Sequence, residues 1–388
     1  MSARSVRAWS GLVVIAALAT SAGCDGTLSG VPAPDARIAP RDGGPVGDRD
    51  GATIGIDASG VDGGRDDGGM VDATVPIDVG PDDPCATVTC GANARCEPAT
   101  AACVCVEGFV DMGAGCVALP AGDPAGRTAT EVCAQWAAGH VENSSDPWTE
   151  VPGDMCAAGT MPREALDDTV RRVSLFRWLV GLPPVTDDPA QHPNDQACAV
   201  MMYRNGALDH TPPMSWDCWT MAGSTGAGSS NLALGVGSPG QAIDLYMDDS
   251  GVPSLGHRRW ILNGPLSRVG IGFAGNAQCL GVFDRSGSSD RMWTSWPNPG
   301  PVPSAAIRGE WSFQSNRIAM GSATVSVVRV GDGMTLPVTV GHPPDGYGPS
   351  TVSWQPMGWR AEVGQRYRIT IDGIAGGPIT YEVEPVTC

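Results

Sequence analysis

Ser229-Ser230-Asn231-Leu232-Ala233-Leu234-Gly235 is followed by Ala242-Ile243-Asp244-Leu245-Tyr246-Met247-Asp248-Asp249, then Gly256-His257-Arg258-Arg259-Trp260-Ile261-Leu262, then Val269-Gly270-Ile271-Gly272. Upstream stands Leu208-Asp209-His210-Thr211-Pro212-Pro213-Met214-Ser215-Trp216. The second piece is a helix by its opening. Ser238-Pro239-Gly240-Gln241 has a hydroxyl to cap a free amide, a proline at the first helical position and a glutamine to reach back. That helix carries Ala242, Ile243 and Tyr246 inward. Leu266 to Phe273 and Gln278 to Asp284 read as strands, with Cys279 inside the second. Further upstream, Leu166, Val170, Val173, Phe176 and Val180 recur at helical spacing, predicting a helix from Pro162 to Val180 that ends at Gly181 and Pro183-Pro184. Another helix is expected over Asp195 to Arg204.

In this order and spacing the set resembles the CAP superfamily, the secreted SCP-like domains related to cysteine-rich secretory and pathogenesis-related proteins. Arg177 to Val185 is also similar to that family's first helix and its exit. The resemblance implies an α+β fold class, with a CAP-type α–β–α sandwich over residues 125–300. It also implies that His210 and His257 face one cleft with two glutamates. Here Ser230 stands where Gly-Glu-Asn-Leu-Ala has its first glutamate, and Asp249, beside Asp248, is the nearest match to the second. The implied ligand cleft is His210, Ser230, Asn231 and His257. His210 and His257 are candidate ligands of a weak Zn²⁺ site, since two imidazoles with at most one aspartate leave positions to water. His210, His257 and Asp249 are the candidates for acid–base catalysis. Hydrogen bonds from the imidazoles to neighbouring carbonyls are the competing role. For Arg258 and Arg259 the simplest expectation is a helix-end ion pair with Asp248 or Asp249. The serine-rich stretch Ser286-Gly287-Ser288-Ser289 makes no nucleophile elbow.

Thirteen cysteines predict an oxidising compartment. Setting Cys24 aside, Cys85, Cys90, Cys96, Cys103, Cys105 and Cys116 form one group. Their spacing, with Gly108-Phe109 before the last, resembles an EGF-like module at 84–117. The resemblance implies the pairs Cys85–Cys96, Cys90–Cys103 and Cys105–Cys116. So short a segment needs disulfides because it buries too little apolar surface. Asp82-Asp83-Pro84 lacks the acidic signature of the calcium-binding subtype, so no calcium is expected. The second group, Cys133, Cys156, Cys198, Cys218, Cys279 and Cys388, leaves 15 pairings open.

Residues 1–23 read as a lipoprotein signal peptide. Arg4 and Arg7 precede a short apolar core at Leu12 to Leu18, and the segment ends on Thr20-Ser21-Ala22-Gly23-Cys24. That ending resembles a lipobox, with Ser21 where leucine is usual, and implies lipidation at Cys24. Residues 24–83 read as a disordered acidic Gly/Asp/Pro linker, with 13 Asp, 4 Arg and no aromatic residue after Cys24. Its net charge of −9 is half of the chain's −18. Such a composition does not bury enough apolar area to offset chain entropy. The acidity is therefore a linker property. With no lysine and no basic stripe, the sequence gives no sign of nucleic-acid binding.

Pro297, Pro299, Pro301 and Pro303 form a stiff joint, and residues 301–388 read as an all-β sandwich-like domain. Strands are expected at 324–330, 336–340, 367–371 and 379–383. Trp311, Trp354 and Trp359 are expected as core, with a carbohydrate-stacking face as the other reading. Together these readings describe an exported, membrane-anchored lipoprotein facing the periplasm or cell surface. It needs no cofactor and uses the CAP cleft as a binding or interaction module for an extracellular ligand, lipid or protein. The alternative is a hydrolase or peptidase using His210, His257 and Asp249.

Overall fold

A computed structural model describes residues 84–91, 93–106, 109–111, 116–118 and 122–388. The leader, Cys24, the acidic linker and Asp82-Asp83 lie outside the described residues. Among the described residues no helix is long and apolar enough to cross a membrane.

The chain begins with two small hairpins. β1 (Ala94–Glu97) pairs antiparallel with β2 (Ala102–Cys105), and β3 (Phe109–Asp111) with β4 (Cys116–Ala118). Disulfides join Cys85 to Cys96, Cys90 to Cys103 and Cys105 to Cys116. Cross-links replace the hydrophobic core that four strands of three or four residues do not supply.

A mixed helical and sheet domain follows. α1 (Ala129–Gly139) opens with a capping box between Thr128 and Glu131. α2 (Arg163–Leu179) starts behind Pro162, and Val170, Val173, Phe176 and Leu179 are buried on its core side. β5 (Thr186–Asp187) leads to α3 (His192–Asn205), which ends on Gly206 in the left-handed region, φ 57°. Then come α4 (Met221–Ser229), β6 (Ser230–Leu234), α5 (Pro239–Asp248) and α6 (Gly256–Ile261). In α5 the Ser238 hydroxyl accepts from the Gln241 amide, and Gln241 reaches back to the Gly237 amide. β7 (Arg268–Ala274) and β8 (Ala277–Gly281) complete a sheet in the order β5-β7-β8-β6.

Strand alternation sorts this sheet's side chains onto two faces. Ala233, Ile271, Phe273 and Leu280 join α2 and α5 in one apolar core. Leu232, Ala277 and Cys279 join α3 and α4 in another. Helices therefore cover both faces, consistent with an α–β–α sandwich. Cys198–Cys279 ties α3 to β8, and Cys156–Cys218 ties two loops.

The remainder is two packed sheets. β9 (Thr294–Trp296), β10 (Gly300–Pro303), β11 (Trp311–Ser315), β12 (Thr324–Arg329), β13 (Met334–Leu336), β14 (Val338–Gly341), β15 (Ser350–Pro356), β16 (Tyr367–Asp372) and β17 (Ile379–Val386) form them. One sheet runs β10-β17-β16-β12-β13 and the other β14-β15-β11-β9. Between them lies a core of Trp311, Phe313, Val352, Trp354, Ile369 and Val383. Trp311 and Trp354 are thus core residues, and Trp359 is partly buried at its edge. β9 ends just before the proline run and Pro301 and Pro303 lie within β10, so the sandwich's strands begin ahead of the run and not after it. The single strand expected at 336–340 is two strands in different sheets. Pro337 has no N–H to continue a ladder, and the chain changes sheets there.

The two domains are fastened together. Cys133 on α1 is disulfide-bonded to Cys388 at the end of the sequence given. Trp296 of β9 is buried in the core of the helical domain, where Phe176 packs edge-on at 5.4 Å.

Candidate functional site

The candidate residues gather around the start of β6. His210 Nδ1 lies 2.8 Å from the Ala227 carbonyl near the end of α4. Four residues further along, the Asn231 side-chain amide donates to the His257 carbonyl at 3.0 Å. Both histidines are therefore anchored to the short α4–β6 junction. No hydrogen bond joins the two imidazoles to each other.

His257 is held more firmly than His210. Its Nδ1 is 2.7 Å from Asp249 Oδ1, and the other oxygen of Asp249 accepts from the Arg258 backbone amide at 3.1 Å. Asp249 itself is buried and caps α5 in the left-handed region, φ 53°. That conformation tolerates a short polar side chain and turns the carboxylate toward the opening of α6. Tyr246 stacks under the imidazole with ring centroids 5.2 Å apart. Its hydroxyl lies 3.0 Å from the Asn231 carbonyl and 3.2 Å from the Gln278 carbonyl. Burial, and then the charge of Asp195, raise the Tyr246 phenol well above its usual value, so it stays a donor.

These contacts fix the tautomers. A carbonyl only accepts, so His210 carries its proton on Nδ1. A carboxylate does the same for His257. In the neutral rings both Nε2 atoms are left with a lone pair. Asp249 thus orients a histidine and does not present itself as a further ligand. Among the described residues, no group of three or more His, Cys, Asp or Glu side chains is placed to hold a metal ion.

Ser230 turns the other way. Leu232, two residues on, belongs to the α3–α4 core, and Ser230 shares its face. Its hydroxyl donates to Asp195 Oδ1 on α3 at 2.7 Å, and the pair is buried. Asn231, on the opposite face, serves His257. The expected cleft of four residues is therefore divided by the strand between two sides.

Asp195 was not legible as a site residue. It sits over the cross-strand row Ser230, Gly281 and Gly270. A Cβ at Gly270 would lie 1.7 Å from Asp195 Oδ2, and one at Gly281 2.8 Å, so two glycines make its seat. That oxygen is buried with no hydrogen-bond partner. Desolvation pushes the Asp195 carboxyl up to about 7, against the smaller opposing effect of the Ser230 hydroxyl. The nearest sequence signal was the run Val269-Gly270-Ile271-Gly272, whose glycines clear space for α3.

The expectation of helix-end ion pairs at Arg258 and Arg259 is corrected. Both guanidiniums are buried and go to carbonyls. Arg258 donates to Met247 O, Asp248 O and, across the domain boundary, Glu310 O at 2.6 Å. Arg259 donates to Ser254 O, Pro344 O at 2.7 Å and twice to Pro349 O. Burial brings each guanidinium down to about 10. A five-donor fork satisfies several orphan carbonyls at once, which one carboxylate contact would not do. From the other side, Arg177 donates to Ile261 O, Asn263 O and Leu266 O, fixing the exit of α6. The helix carrying His257 is therefore clamped to both domains.

No curated protein and no solved structure gives a significant match to the chain. Residues 170–283, which span most of α2 through β8 and include His210, Ser230, Asn231, Asp249 and His257, match the family model described as CAP, the Cysteine-rich secretory protein family.

Proposed function

We propose that this protein is an exported lipoprotein, anchored through lipid on Cys24, which displays an EGF-like module, a CAP domain and a β-sandwich as a binding unit. The CAP match and six disulfides support an extracellular setting. The CAP groove beside His257 takes an extracellular ligand, lipid or protein. The observation that carries binding over catalysis is the fate of Ser230. Its hydroxyl donates to a buried acid on the far face of β6, so it is not offered to His257 as a nucleophile. Membrane fractionation tests the anchor: Cys24→Ala moves the protein from the membrane to the soluble fraction, and mass spectrometry of the wild type shows a diacylated Cys24 peptide. A free amine at Asp25 or Thr20 refutes it.

One observation favours the second reading, a hydrolase. The 2.7 Å contact of His257 with Asp249 is the arrangement that poises an imidazole as a general base. Incubation of wild type and His257→Ala with a peptide library, read by mass spectrometry, separates the two. The binding reading expects no cleavage that depends on His257; such cleavage establishes the hydrolase.

A further inference from the structure

The β-sandwich holds a cavity of about 700 Å³, remote in sequence from the CAP residues and unrelated to the proposal above. That volume is inside the roughly 300–1,000 Å³ range of small-molecule sites. Its position is set by the change of sheet at Pro337. β13 ends one sheet, the turn after β15 hangs from the other, and the cavity opens between them.

Trp359 is the fixed part of its wall. The indole stacks on Tyr367 with centroids 5.3 Å apart and planes 19° apart, and Trp311 meets it edge-on at 5.9 Å. Its N–H donates to the Pro337 carbonyl at 2.7 Å. The ring is thus braced on one face, at one edge and at its polar atom, so it meets a ligand as an apolar surface of set orientation. Met334 and Met357, 48% and 53% exposed, line the same cavity with adaptable thioethers.

The polar lining is balanced in sign. Arg329 is tied to Asp332 at 2.6 Å. Arg360 and Glu362 both line the cavity, both are exposed, and neither side chain makes an ion pair among the described residues. An exposed guanidinium and an exposed carboxylate in one lining offer both donors and acceptors, which suits a neutral ligand that both donates and accepts hydrogen bonds, and their opposite signs give no net pull on a charged one. A flat apolar ring beside paired donors and acceptors matches a pyranose, which has a C–H face and a rim of hydroxyls. We propose that this cavity is a binding site for neutral oligosaccharides, with a sugar ring stacked on Trp359 and its hydroxyls shared between Arg360 and Glu362.

Calorimetric titration of the full chain with cellotriose, maltotriose and triacetylchitotriose tests this, with sialyllactose as the charged control. At least one neutral trisaccharide binds with Kd of about 1 mM or tighter and shifts the tryptophan fluorescence. Sialyllactose binds at least about tenfold more weakly. Trp359→Ala abolishes the binding. Glu362→Gln, a rim change that leaves Trp359 in place, weakens it about tenfold with an unchanged melting temperature. The proposal is overturned if no neutral trisaccharide binds at about 10 mM, if sialyllactose binds best, or if Glu362→Gln and Trp359→Ala proteins that remain folded bind as the wild type does.

Discussion

Ser230 and Asp195 meet at 2.7 Å on the face of β6 opposite to the one that serves His257. The position where the family resemblance implies a glutamate is therefore coupled to an acid on α3. Because that acid is buried over two glycines, its ionisation is disfavoured, and the pair ties β6 to α3 behind the site.

The first prediction follows from that burial. The carboxyl of Asp195 is raised from 3.8 to about 7 on folding. A raised acid holds its proton in the folded state while the unfolded chain loses it. Its contribution is complete below about pH 4, falls as pH rises toward 7, and is lost above that. Asp195→Asn removes the ionisation and keeps an oxygen to accept from Ser230. Urea melts should show the variant gaining on the wild type between pH 5 and pH 8, by about 2.5 kcal/mol. Any fixed cost of the new amide is the same at both pH values and cancels. An identical difference at pH 5 and pH 8 would show that Asp195 ionises freely in the folded protein.

Much of the helical domain was legible because its elements carry local signals. Ser238-Pro239-Gly240-Gln241 caps α5 as read, and the buried stripe of α2 follows the 3.6-residue period. α1, α4 and α6 carry weaker local signals. After Met221, the stretch to Ser229 is Gly, Ser, Thr and Ala, with little amphipathic pattern, and it is held as a helix by packing on α3. α6 is too short to show a period, and its N-cap, Leu255, is left-handed at φ 48°. Side-chain direction was the larger gap. His257 and Asp249 could be matched by position. Nothing in a sequence says that Ser230 and Asn231 point apart, or that Arg258 and Arg259 seek carbonyls 50 to 90 residues away. Those facts depend on strand register and on how the β-sandwich docks.

Arg258 is the basis of the second prediction. Replacing it with methionine leaves Met247 O, Asp248 O and Glu310 O without their donor, each at about 1–3 kcal/mol where water does not reach. Arg258→Met should lower stability by about 3 kcal/mol or more, and Arg258→Lys should rescue little, since one ammonium does not span the same carbonyls. Calorimetry should resolve the single transition into two as the sandwich uncouples from the helical domain. A single transition at the wild-type temperature would show that this clamp carries no load.

The third prediction concerns Cys133–Cys388, which closes a loop over a separation of 255 residues. In the chain-entropy picture so long a loop restricts the unfolded state by about 5 kcal/mol. The double substitution Cys133→Ser, Cys388→Ser should therefore cost several kcal/mol in denaturant melts. Cys156–Cys218, with a separation of 62, should cost less by about 1 kcal/mol. The reverse order would mean that residual structure in the unfolded chain, not loop length, sets the effect.

The last prediction concerns metal at the two histidines. Both Nδ1 atoms are occupied, one by the Ala227 carbonyl and one by Asp249, so both rings offer Nε2. Two neutral donors with no anionic ligand leave the dehydration of a divalent cation largely uncompensated. Zinc titration by calorimetry should therefore give binding no tighter than about 1 μM, lost in His257→Ala and in His210→Ala. Asp249→Asn should weaken it about 10–100-fold, since the carboxylate orients the His257 ring and raises its basicity. Ser230→Glu should not strengthen it, because that side chain points at Asp195 and would place two acids together across the sheet from His257. If Ser230→Glu tightens zinc binding, residue 230 does reach the metal and its side chain rotates from α3 to the groove. If wild-type binding is nanomolar and survives Asp249→Asn, the anionic ligand comes from another carboxylate, and the general-base reading of His257 gains ground over the binding one.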